Sequence, residues 1–239
     1  MPDLPAGSAR TDASAPSGAG AVADFLADVH AVVPAGERGR LIFALDATMS
    51  RQHTWDTACR LQGEMFREAG RIGGLDMQLV YFRGLGECRA SRWAGDAERF
   101  GTLMSRIDCR GGHTQIGRVL NHAAGEARRG RVGALVYVGD AVEEPADMLC
   151  ARAGELALLG VPVFAFQEGR DAMVESVLRE IARLTRGAWS RFDASAAHEL
   201  AALLRAAAAY AAGGRRALAA LSDRGGPAAA RLLQQIGRP

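Results

Sequence analysis

The sequence predicts an α/β fold: a doubly wound, mostly parallel six-stranded sheet with one antiparallel edge strand and helices on both faces. Three observations predict it. Short apolar runs alternate with amphipathic segments of helical length, the pattern of successive strand–helix units in a parallel sheet. Two runs, residues 41–45 (LIFAL) and 132–138 (VGALVYV), contain no charged or strongly polar residue, as strands covered on both faces do. One pair of runs is joined only by Gly84-Leu85-Gly86, too short for a crossover, so it must form a hairpin.

The elements follow in order. Residues 1–20, rich in Ala, Gly, Ser, Pro and Asp, read as a disordered leader. Residues 21–36 read as an N-terminal helix and linker, with Val22, Phe25, Leu26, Val29 and Val33 at helical spacing before Pro34-Ala35-Gly36 breaks it. The main domain is expected over residues 37–212. Its first strand is 41–45, and a helix over 52–70 sets Trp55, Cys59, Gln62, Phe66 and Ala69 near one face. Strands at 75–82 and 87–93 form the hairpin. Asp96 is positioned to cap a helix running to about residue 106. A loop at 109–113 leads to a helix opening at Thr114, then to the strand at 132–138. Helices at 146–159, 171–185 and 196–212 alternate with strands at 161–166 and 188–192. Residues 213–239 form an Ala- and Arg-rich, partly helical tail whose Leu218, Leu221, Leu232, Leu233 and Ile236 can dock on the domain or on a partner.

Composition narrows the function. Of 239 residues, 49% are hydrophobic and 23% charged, and the net charge of +2 is too balanced to argue for nucleic acid or an anionic membrane. All 29 basic residues are Arg. The absence of Lys excludes a Walker-type phosphate loop and Schiff-base chemistry; with the many alanines it suggests a GC-rich, bacterial coding genome. Cys59, Cys88, Cys109 and Cys150 are widely separated and read as reduced, mostly buried thiols. No signal-peptide pattern or membrane-spanning run is evident, so a cytoplasmic location is expected.

The chemistry concentrates at Asp46-Ala47-Thr48-Met49-Ser50, where the first strand ends. In open α/β sheets, ligands bind beyond the carboxyl ends of strands, where the connection order reverses. If this strand neighbours 132–138, Asp140 emerges beside Asp46, and Thr114 lies on the loop feeding the same region. Asp46, Thr48, Ser50, Thr114 and Asp140 then offer two carboxylates and three hydroxyls. An oxygen-only set selects hard Mg²⁺, with Mn²⁺ or Ca²⁺ as alternatives, over zinc or copper.

In these residues the sequence resembles the von Willebrand factor type A (VWA) family, over roughly residues 41–212. The family's metal-ion-dependent adhesion site, Asp-x-Ser/Thr-x-Ser with a later Thr and a later Asp, matches Asp46, Thr48, Ser50, Thr114 and Asp140. Gly139-Asp140-Ala141 departs from the commoner Asp-Gly turn. The resemblance implies a Rossmann-like VWA fold and a metal-dependent interaction module. Its open coordination position would be completed by an Asp or Glu of a protein partner, such as an AAA+ ATPase or another multi-subunit assembly. With the balanced charge, the lack of a spanning run and the absence of Lys, the expectation is a module with no catalytic activity, no nucleic acid and no membrane.

Met49, His53, His113 and Glu143 stand on the expected rim of that site. Glu143 and Glu144 otherwise read as a solvated loop. His122 and Glu126, one helical turn apart, read as a surface pair, and Trp55, Trp93 and Trp189 as packing anchors. Two competing functions stay open. A metal-dependent phosphoester hydrolase would use Asp46 at its strand end, but Thr48 replaces the second Asp of such sites and no Lys is present. A structural scaffold would carry the same site unused.

Overall fold

The computed structural model describes residues 38–48, 52–72, 74–193 and 197–236. The leader, the helix expected at 21–33, Met49 and Ser50 lie outside the described residues. Six strands form one sheet: β1 (Gly39–Asp46), β2 (Leu75–Arg83), β3 (Glu87–Ala90), β4 (Ala134–Gly139), β5 (Val163–Glu168) and β6 (Ala188–Phe192). Their order is β3-β2-β1-β4-β5-β6. All pairings are parallel except β2 with β3. The helices are α1 (Gln52–Gly70), α2 (Ala97–Met104), α3 (Ile116–Arg129), α4 (Ala146–Leu158), α5 (Ala172–Leu184), α6 (Ala197–Asp223) and α7 (Pro227–Leu233). None is long and apolar enough to cross a membrane.

The alternation of strand side chains divides the core. Leu41, Phe43 and Leu45 point to one face, where α1, α2, α6 and α7 supply Trp55, Met65, Phe100, Leu203, Leu218 and Leu232. Ile42 and Ala44 point to the other, against Val119, Leu149 and Leu178 of α3, α4 and α5. A strand buried on both faces cannot carry polar residues, which is why β1 and β4 read as unbroken apolar runs.

The structure departs from the expected elements at β3 and at α6. β3 ends at Ala90, but the chain keeps pairing irregularly: Ser91 N–H donates to the Leu79 carbonyl at 2.8 Å, and Ala94 bridges Met77. α6 continues past residue 212 to Asp223, bent at Gly213 and Gly214, the latter at φ +65°, a backbone only glycine adopts without strain. The tail then folds onto the sheet. Leu218 and Leu232 are fully buried and Ile236 nearly so, which settles their docking on the domain.

Small residues set how closely α6 lies. A Cβ on Gly39 or Gly133 would come within 2.4 or 2.6 Å of the Ala211 carbonyl oxygen. The helix turns Ala206, Ala207, Ala208 and Ala211, all fully buried, toward the core. The alanines are thus a packing requirement here and not only a trace of base composition. At the far edge, Gln235 holds the β6 backbone: its Oε1 accepts the Trp189 N–H at 2.9 Å and its Nε2 donates to the Trp189 carbonyl at 2.8 Å.

Candidate functional site

β1 and β4 are neighbours, paired in parallel with Leu45 opposite Val138. From this boundary the chain leaves β1 through α1 toward β2 and leaves β4 through α4 toward β5, in opposite directions and on opposite faces. That is a topological switch point, and Asp46 and Asp140 stand at it. Asp46 is 1% exposed, and its Oδ1 accepts the Thr48 N–H at 2.8 Å, an Asx-type turn that brings Thr48 back over the strand end. Thr48 is itself buried. Asp140, immediately after β4, is half-buried.

The loop before α3 closes the third side. Arg110 N–H donates to the Ala47 carbonyl at 2.9 Å, and His113 N–H to the Gly84 carbonyl at 3.1 Å. Gly112 is there for close approach, as its Cβ would lie 2.2 Å from the Gly84 nitrogen. The contact it permits is with the β2–β3 hairpin.

Thr114 is 6% exposed and is not an N-cap, because α3 begins two residues later at Ile116. It is tied to the β4 loop by a reciprocal pair. Thr114 N–H donates to Glu143 Oε2 at 2.7 Å, and Glu143 N–H donates to Thr114 Oγ1 at 2.9 Å. Glu143 also meets His113 Nδ1 at 3.1 Å. The Thr114 amide first, and then His113, hold the Glu143 carboxyl below its usual range.

Glu144 completes the stitching: its carboxylate accepts the Ile116 N–H at 2.6 Å and the Gly117 N–H at 2.8 Å. These are unpaired amides of the first turn of α3, where a negative charge also meets the positive end of the helix dipole. Glu143 is exposed as the solvated-loop reading expects, yet it holds the Thr114 loop. Glu144, half-buried, caps a helix supplied by another part of the chain, which no local pattern in the sequence reveals.

Other sequence-predicted residues find definite places. His53 is exposed on the first turn of α1 and His113 is exposed on the rim. Two residues not singled out from sequence, Thr54 and Glu168, join α1 to the end of β5 through a short bond from the Thr54 hydroxyl to the Glu168 carboxylate. The expected surface pair is instead an internal network. Glu126 is 8% exposed and accepts from Arg129 at 2.7 Å, Trp93 Nε1 at 3.0 Å and Arg40 at 3.3 Å. His122 Nε2 pairs with Gln78 at 2.8 Å, and burial pushes its pKa down. Trp55 and Trp189 are buried, and Trp93 is half-buried under the Arg40 guanidinium at 4.0 Å. Of the four cysteines, all free thiols, only Cys109 is fully buried.

Four of the five predicted oxygen residues thus lie on three loops held together at one sheet edge; Ser50 is outside the described residues. Among the described residues there is no cluster of three or more His, Cys, Asp or Glu suited to a metal. A hydroxyl-rich set with two carboxylates would not form such a cluster, and its chemistry fits a hard cation that keeps some of its water.

A comparison with protein-family models finds none that matches, and a comparison with curated proteins finds no match. Solved structures do match. A von Willebrand factor type A protein from Catenulispora acidiphila superposes with a TM-score of 0.58 at 14% identity, over 72% of this chain and 43% of that one. The chain therefore spans under half the length of that protein. An aerotolerance-related membrane protein from Bacteroides fragilis NCTC 9343 gives 0.53 at 18% identity, over 71% and 98%. The SpRpn10 VWA domain gives 0.55 at 12% identity, over 70% and 95%. The strand order, the switch point and these likenesses together establish that the chain has the fold of von Willebrand factor type A domains.

Proposed function

We propose that this chain is a divalent-cation-dependent protein-interaction module with no chemical step of its own. Asp46, Thr48, Ser50, Thr114 and Asp140 would hold the ion, preferably Mg²⁺, directly or through water. The bound ion would supply an electrophilic position that a partner's Asp or Glu completes. The observation that carries this reading is the adjacency of β1 and β4, which sets two aspartates at one switch point with the Thr114 loop bonded across to the β4 loop. Hydroxyl donors leave an Mg²⁺ ion incompletely neutralised, so a partner's carboxylate is strongly rewarded.

The test is ligand-linked stability. Millimolar MgCl₂ should stabilise the wild type by ~1–3 kcal/mol when well above its dissociation constant, and Asp46→Ala and Asp140→Ala should lose that response. Equal responses in wild type and both variants would remove the metal from the function.

A further inference from the structure

Beside the candidate site the structure presents one apolar side chain on a braced mount. Leu85 is 86% exposed at the apex of the β2–β3 hairpin, on the same sheet edge as Asp46. Its turn is held by neighbours from the Thr114 loop and α3. Gly112 bridges Gly84, Gln115 Nε2 donates to the Arg83 and Glu87 carbonyls at 3.3 Å, and Arg118 donates to the Gly86 carbonyl at 2.5 Å. A single exposed leucine needs no explanation on its own. One fixed so firmly loses little freedom on contact, which is what a binding anchor requires.

The charge around it is mixed, with Arg83, Arg89, Arg110 and Arg118 against Glu87, Asp108 and Glu143, and Glu87 is taken up by Arg83 and Arg89. The chain from Arg110 to Gly112 runs from the Ala47 carbonyl to Gly84. Arg110 is exposed there, and its guanidinium makes no ion pair among the described residues. The nearby Glu143 carboxylate is already engaged by the Thr114 amide and His113.

We propose that the edge from Asp46 past Arg110 to Leu85 is a docking surface for an acidic protein segment carrying an apolar anchor residue. This rests on the metal-dependent reading above and adds the chemistry of the partner. The spacing follows from register. Asp46 pairs with Phe82, and Leu85 lies three residues further on. With strands about 4.8 Å apart and a rise of about 3.3 Å per residue, the two Cα atoms are within roughly 11 Å. An extended partner covers that in about three residues, so its apolar anchor falls two to four positions from its metal-directed carboxylate.

The probe is a displayed random peptide library with one fixed Asp, panned on the full chain in millimolar MgCl₂ beside a matched library with Asn fixed. Wild type should enrich Leu, Ile, Met or Phe two to four positions from the Asp. Leu85→Ser should keep the preference for Asp over Asn but lose the apolar one, and should bind an enriched synthetic peptide roughly 10- to 100-fold more weakly. Arg110→Ser should lose enrichment of additional acidic residues. Unchanged melting temperature and MgCl₂ response in both variants show that fold and ion site are intact. An Asp preference without an apolar one, or an apolar preference that survives in Leu85→Ser, overturns the docking surface and leaves the metal reading standing. Equal recovery from the Asp and Asn libraries sinks both.

Discussion

Replacing Glu144 by alanine withdraws the carboxylate that accepts the Ile116 and Gly117 amides at 2.6 and 2.8 Å. Gln115, at the cap position, makes no side-chain cap bond and its amide nitrogen is directed to carbonyls of the hairpin turn, so Glu144 is the side chain that caps these amides. A hydrogen bond to a charged group contributes about 1.5–3 kcal/mol net. Favourable charge at a helix start adds about 0.3–1 kcal/mol. Glu144 is only half-buried, so water reaches the freed amides and offsets part of the loss. The expected cost is about 2–4 kcal/mol, or roughly 5–15 °C in melting temperature for a domain of this size. Glu144→Gln keeps a neutral acceptor and should lose about half as much. Urea unfolding followed by tryptophan fluorescence measures both, with the slope unchanged if only stability moves. The same change should weaken the response to MgCl₂, since the loop carrying Asp140 is then held to the segment before α3 by the Thr114–Glu143 pair alone. A Glu144→Ala protein within about 0.5 kcal/mol of wild type, the range of an ordinary surface change, would refute the capping role.

Three further outcomes are expected. Gly112→Ala forces a Cβ to within 2.2 Å of the Gly84 nitrogen and should destabilise by roughly 1–3 kcal/mol, read by the same unfolding experiment. Glu126→Ala strands Arg40 and the Trp93 indole N–H and should cost about 2–4 kcal/mol, near the lower end for a broken buried pair because Arg129 faces water; a neutral result in denaturant melts would show that the network carries no stability. Burial pushes the Cys59 thiol up to about 11, with the Asp56 charge adding to it. At pH 8 its thiolate population is then about 100-fold below that of an unperturbed cysteine. Site-resolved mass spectrometry should find its alkylation by iodoacetamide slower in proportion, and free-cysteine rates would contradict the burial.

The strands were legible because both periodicity and length speak for them: LIFAL and VGALVYV have no polar face to hide. The hairpin was legible from Gly84 and Gly86. From two such strands the placement of Asp46 and Asp140 followed by a general rule of sheet topology, and the observed pairing of β1 with β4 agrees with it. What stayed hidden is long-range. Glu143 and Glu144 look like unengaged acids until the Thr114 loop and α3 are brought to them from almost 30 residues away. Glu126 looks like half of a helix-surface pair until Arg40 and Trp93 close over it. Gly213-Gly214 reads as a terminus, yet the helix bends there and goes on, since Leu218 and Leu232 gain more by reaching the core than the bend costs.

The Gln235 contact has a consequence for how the molecule behaves in company. A terminal strand offers donors and acceptors that another chain can extend, which is the usual route to sheet-to-sheet polymerisation. Here a side-chain amide satisfies both backbone groups of Trp189, standing in for the peptide bond of a seventh strand without being one. It offers no onward ladder, so growth stops at β6. The stopper is held by α7, only seven residues long, packed through Ala228, Ala229 and Leu232. Colloidal behaviour is thereby vested in residues 227–236. Loosening that helix would bare the β6 edge together with the buried Leu232, a defect that light scattering at high concentration should register alongside a lowered melting temperature.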